Sequence, residues 1–158
     1  MDTQLEARNV IFVYETTDTA FIDRVTLACM DEMKADAKAT FTPADRLLDV
    51  DGVKYLQVDL NYQPKGLIAL LHNELHLMFM KPLRGKHALN ALRAGIDWLW
   101  RNTGFSQIVC YVYSNRKDVS RLVKLAGFTP TRTWDDGTTI DGASVSRTDF
   151  RILKLNPI

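Results

Sequence analysis

The chain has little of what would mark a specialised class. It carries only two cysteines, Cys29 and Cys110. They lie far apart in apolar surroundings, which argues against a disulfide scaffold and for buried thiols in a reduced, intracellular protein. There is no excess charge of one sign: 20 Lys and Arg stand against 19 Asp and Glu, a net charge of +1. A nucleic-acid footprint would want a basic surplus, so no nucleic-acid partner is expected. No apolar run approaches the ~20 residues of a membrane span, so no membrane partner is expected either. The start, Met1, Asp2, Thr3, Gln4, is polar and acidic, unlike a secretory leader, and a cytoplasmic location is the default. Repeats and low-complexity tracts are lacking, and no metal site is expected. What is present is ordinary for a soluble globular protein: 46% apolar and 25% charged residues. The 158 residues suit a single domain, 1–158, with a proper core.

Along the chain, residues 9–14 read as a first strand, and Thr17, Asp18 and Thr19 as a cap. Helical spacing follows over about 19–38, broken by residues 41–45. Residues 47–50 and 54–60 read as two arms about Asp51 and Gly52, and 61–66 as a loop. Residues 67–71 and 74–80, joined by His72 and Asn73, read as a hairpin. Leu89, Leu92, Ile96 and Leu99 then mark one face of the clearest helix, with Gly104 fitting a positive-φ position just past its end. Gln107 to Tyr113 reads as a strand. Leu122, Val123, Leu125 and Ala126 form the apolar side of a helix that Gly127 ends. Residues 129–134 and 150–155 read as a last strand pair, with 135–146 as a polar, mobile link.

The stretch from Leu75 to Phe128 is the most informative. An apolar strand ends at Met80. A basic loop follows: Arg84, Gly85, Lys86, His87, Ala88. The helix, a second strand, Asn115, a short helix with Ser120, Arg121 and Leu122, and finally Gly127 and Phe128 complete the series. In this order of elements and residues the chain resembles the GNAT superfamily of N-acetyltransferases, in particular its ribosomal-protein alanine acetyltransferase-like branch.

The resemblance implies an α/β (α+β) fold: a mixed, mostly antiparallel twisted sheet flanked by about four helices, with a splayed strand pair. It implies acetyl-CoA as cofactor, with pantetheine against the backbone of Met78, Phe79 and Met80, and Asn115 beside it. Amide groups at a helix start suit a pyrophosphate. The loop Arg84, Gly85, Lys86, His87, Ala88 and Leu89 is therefore the implied phosphate cradle, and Arg84 and Lys86 add two cations. The plainer reading of those cations is a solvated loop at the sheet edge. His87 and Leu89 depart from the family's small residues, and Val123 stands where many members carry a Tyr.

Amine acetylation needs a neutral amine and a protonated leaving thiolate. Glu74 and His76 alternate with Leu75, so they share a strand face. Either can serve as base. The plainer reading makes Glu74 a wet strand end and His76 a bonded core histidine. Ser120 is the candidate acid. Tyr111 and Tyr113 read as sheet residues, and Trp98 and Trp100 as packing anchors. The implied activity is acetyl transfer to an amine on a protein or small molecule. The alternative is a degenerate fold that binds CoA or a protein partner without turnover. A homodimer is left open.

Overall fold

The computed structural model describes residues 9–37, 52–140 and 142–155. The elements are β1 (Ile11–Thr16), α1 (Thr19–Ala37), β2 (Val53–Leu60), β3 (Gln63–Leu71), β4 (Glu74–Phe79), α2 (Ala88–Asn102), β5 (Gln107–Tyr113), α3 (Lys117–Leu125), β6 (Thr129–Ile140) and β7 (Ala143–Leu153). The strands form one sheet in the order β1-β2-β3-β4-β5-β7-β6. Every neighbouring pair is antiparallel except β4 and β5. A parallel pair needs a crossover, and α2 supplies it. This is the mixed, mostly antiparallel sheet expected. Three α-helices are found among the described residues rather than about four. None of these helices is long and apolar enough to cross a membrane.

Strand alternation sorts the side chains onto two faces. On one face Leu75 and Phe79 of β4 and Ile108, Cys110 and Val112 of β5 pack with Leu92, Ile96 and Leu99 of α2 and Val123 of α3. Trp98 and Trp100 pack against this cluster, as expected of anchors. On the other face Phe21, Ile22 and Val25 of α1 meet Tyr55, Leu67 and Ala69, with Met78 and Met80 beside them. Asp18 caps α1, its Oδ1 accepting from Phe21 N at 3.1 Å. The helix α2 lies very close to the sheet. A Cβ on Gly95 would fall 2.3 Å from Ile68 Cδ1, so the residue's lack of a side chain sets the spacing of helix and strand.

Three local expectations are corrected. Gly104 does not take positive φ. Instead Thr103 turns extended, and its Oγ1 and Asn102 Nδ2 donate to Leu99 O and Trp98 O, satisfying the last carbonyls of α2. Residues 61–66 are not a loop. Asn61 (φ 51) and Tyr62 (φ 67) make a tight hairpin turn, and β3 starts at Gln63. Pro64 is tolerated there because the register shifts at Val58 and Asp59. Residues 135–146 are not a mobile link. They are the outer part of the β6–β7 hairpin, paired as far as Ile140 and Ala143, with a bulge between Asp135 and Thr139. The basic loop is itself partly ordered ahead of α2. Two short 3₁₀ turns, Lys81–Leu83 and Gly85–His87, precede Ala88. The expected arm at residues 47–50 and the break at 41–45 lie outside the described residues.

Candidate active site

The parallel pair β4–β5 opens almost at once. Its register holds a single partner pair, Glu74 with Val109. Two hydrogen bonds reinforce that end: Val109 N to Asn73 O at 3.0 Å, and Asn73 Nδ2 to Gln107 O at 3.2 Å. Beyond it, residues 75–79 and 110–113 have no ladder between them. The two strands diverge toward their C-terminal ends. Backbone polar groups left without a strand partner need another one. The expected splay is therefore present.

The basic loop stands at the end of β4. Gly85 takes φ 71, a conformation that favours glycine. The first internal bond of its turn is from Ala88 N to Gly85 O. The N–H groups of Gly85, Lys86 and His87 thus precede it, as at any helix start. His87, which replaces one of the family's small residues, keeps φ −91, and Ala88 after it φ −61, so this turn still offers ordinary amides. Arg84 Nε donates to Phe79 O at 2.9 Å, so this cation also braces the end of β4. Met80 N donates back to Lys65 O on β3 at 2.9 Å. Of the three residues 78–80, then, the Met80 amide belongs to the sheet and the Phe79 carbonyl to Arg84. Leu89 is half-buried on the first turn of α2, and Asn115 is exposed in the turn after β5.

Glu74 and His76 lie on the α1 side of the sheet, with their carboxylate and ring together. His76 Nε2 is 2.9 Å from Glu74 Oε1. The contact is close but lacks hydrogen-bond alignment: His76 Nε2 is a buried nitrogen with no hydrogen-bond partner among the described residues. Tyr111, across the splay, meets His76 edge to face with ring centroids 5.7 Å apart. Burial, then Tyr113 and Glu74, push the Tyr111 phenol above its ordinary value, so it stays protonated at neutral pH. Ser120 lines a cavity of about 490 Å³ with Val112, Tyr113, Arg116, Lys117, Arg121 and Lys124, and Tyr113 meets the Tyr111 ring with centroids 5.7 Å apart. No residue of β4 or α2 borders that cavity.

Sequence reasoning missed the wall that continues from Tyr111 across β7 to β6. Tyr111 pairs with Asp149 and Tyr113 with Arg147 in register, and Arg147 pairs in turn with Trp134. The Arg147 guanidinium carbon lies 4.0 Å from the Tyr111 ring centroid and 5.2 Å from that of Trp134. Period-2 spacing along 145–151 was the available signal, hidden because residues 135–146 were read as a link and the strand was begun only at Phe150.

The chain has the fold of the GNAT N-acetyltransferases. It is similar to spermidine N-acetyltransferase from Vibrio cholerae, solved with CoA and spermine, at TM-score 0.72 and 13% identity over 90% of this chain and 95% of that one. It is similar also to the ribosomal-protein-S5-alanine acetyltransferase from Vibrio fischeri, at TM-score 0.68 and 13% identity over 90% of this chain and 92% of that one. No protein-family profile and no curated protein matches the sequence.

Proposed function

We propose that the protein is an acetyl-CoA-dependent N-acetyltransferase acting on an amine. One observation carries this reading: β4 and β5 pair only at Glu74 and Val109 and then diverge beside a basic helix start. The residues fit the cofactor. The strand edges at Leu77, Met78 and Phe79 offer backbone to an extended arm, as a missing strand would take it. The amides of Gly85, Lys86 and His87 and the Lys86 ammonium suit a pyrophosphate. Asn115 stands at the far lip. Bound there, acetyl-CoA supplies the activated acyl group.

The chain's own residues manage the protons. His76, with Glu74 beside it, takes the proton of the acceptor ammonium, directly or through water. Tyr111 replaces Ser120 as the group placed to return a proton to the leaving sulfur, since its phenol is neutral and borders the splay. Holding both partners at one gap supplies a large part of the rate in such a reaction. The comparison structures act on spermidine and on a ribosomal-protein alanine, which supports an amine acceptor as a class.

Titration calorimetry with acetyl-CoA tests the reading. The wild type should bind, and Arg84→Ala with Lys86→Ala should weaken binding by about 1–3 kcal/mol as charge-assisted contacts are lost. A wild type that does not bind acetyl-CoA overturns it. One observation favours a second reading, a binding protein without turnover. Val123, at the family's Tyr position, is only 1% exposed and belongs to the core. Acetyl-CoA binding without release of free CoA on any amine would select that reading.

A further inference from the structure

The half of the sheet formed by β5, β7 and β6 presents charged groups on the face that carries Glu74 and His76. The acids of β6 and β7 on this face are spoken for. Asp149 Oδ1 accepts from Arg147 Nε at 2.8 Å, and its Oδ2 from Trp134 Nε1 at 3.3 Å. Asp136 Oδ1 accepts from Thr138 N at 3.0 Å, and its Oδ2 from Tyr113 Oη at 3.2 Å. Each carboxylate thus has both oxygens engaged within the protein.

The cations differ. A guanidinium has five N–H donors. Arg147 uses its Nε on Asp149, and the hydrogen bonds among described residues give its two terminal nitrogens no acceptor. The group is also held still. Tyr111 and Trp134 flank it, and Asp149 fixes its Nε edge. Its side chain remains 26% exposed. Arg132 lies over the Trp134 ring at 4.7 Å and extends the same basic edge. A fixed fork with unused donors recognises a carboxylate or phosphate in two-point fashion. It stands one aromatic ring away from His76: ring to ring is 5.7 Å, and Tyr111 to the guanidinium carbon is 4.0 Å.

We propose that Arg147 binds an anionic group of the acceptor, so that the substrate is an amino acid or similar amine bearing a carboxylate a few bonds from its nitrogen. The proposal rests on the acetyl-transfer reading for the amine end and on Arg147 alone for the anionic end. A polycationic acceptor is disfavoured, because Asp149 and Asp136 already hold Arg147, Trp134, Thr138 and Tyr113 and the Arg147 guanidinium beside them repels a second cation.

The test compares leucine with isoamylamine, and γ-aminobutyrate with propylamine, as acceptors and as ligands in calorimetry. Each pair differs by one carboxylate. The wild type should favour the carboxylate-bearing partner in at least one pair by ~10- to 100-fold in kcat/KM, the scale of a charge-assisted contact. Arg147→Met, which keeps an apolar stem between the two rings, should collapse that ratio chiefly through KM. Arg147→Lys should restore it only in part, since the fork is lost. A merely structural role would lower both partners alike and leave the ratio unchanged, which overturns the proposal. Equal use of both partners by the wild type overturns it too, whatever the variants' stability, while leaving acetyl transfer standing. Carboxylate-dependent binding that Arg147→Met abolishes, with no turnover of any acceptor, supports the anion site and contradicts the acetyl-transfer reading instead.

Discussion

The Tyr111 ring stands edge-on to His76 at an interplanar angle of 83°, across the one neighbouring strand pair that does not zip. Glu74 lies on the same side, at the last point where the two strands touch. The proposed base and the proposed acid thus flank the opening from opposite strands. The backbone alone fixes that relation, since each side chain follows from its strand's alternation.

Replacing these groups should separate their roles. His76→Ala should lower kcat by ~10²-fold at neutral pH with acetyl-CoA affinity nearly kept. Tyr111→Phe keeps the ring contact and removes the proton, so it too should lower kcat more than it raises KM. The sign of the Tyr111 shift sets the alkaline side. Its phenol is pushed above 10.0, so activity should not fall through loss of this acid until the pH exceeds that value. A Tyr111→Phe enzyme with full kcat would remove the residue from the chemistry.

Gly95 should be intolerant for a reason of space. Alanine is the better helix former by about 1 kcal/mol, but its Cβ would sit 2.3 Å from Ile68 Cδ1. Overpacking of this kind costs ~1–3 kcal/mol, so Gly95→Ala should come out less stable in urea unfolding. Ile68→Val deletes the clashing methyl. Added to Gly95→Ala, it should recover part of the loss, a coupling visible only in the double-mutant cycle.

The Cys110 thiol should be inert in the folded protein. Burial, with Glu74 and Asp149 adding to it, pushes its pKa to about 12. The thiolate is the reactive form. Alkylation at pH 8, mapped by peptide mass, should leave Cys110 unlabelled until denaturant is added. Rapid native labelling would contradict its place under α2.

The order of elements was legible because each keeps its own local signal. Leu92, Ile96 and Leu99 repeat with helical period, and Gly127, at φ 109, closes α3 as a glycine can. The splay was not legible from the residues themselves. Both 75–80 and 107–113 read as strands, and nothing local says that they stop pairing after Glu74. Only the family resemblance supplied it. Gln107–Tyr113 is a run of β-formers without polar alternation, so its two faces could not be told apart, and Tyr111 was passed over. The outer β6–β7 hairpin looked like a link because its polar residues pair with one another, Asp135 with Ser146 and Thr139 with Ser144. Ser120 was chosen because the family resemblance puts it nearest the expected thiol position, which does not reveal which side of α3 it takes.

The most direct measurement of the central claim is a coupled one: free CoA thiol and the mass of the acceptor, followed together for a panel of amines with acetyl-CoA. Acetyl transfer predicts thiol release above the enzyme-free rate, matched one for one by an acceptor heavier by a single acetyl group, and both lost together in His76→Ala. Thiol release with no acetylated acceptor, or neither signal on any amine from a protein that binds acetyl-CoA, would contradict it.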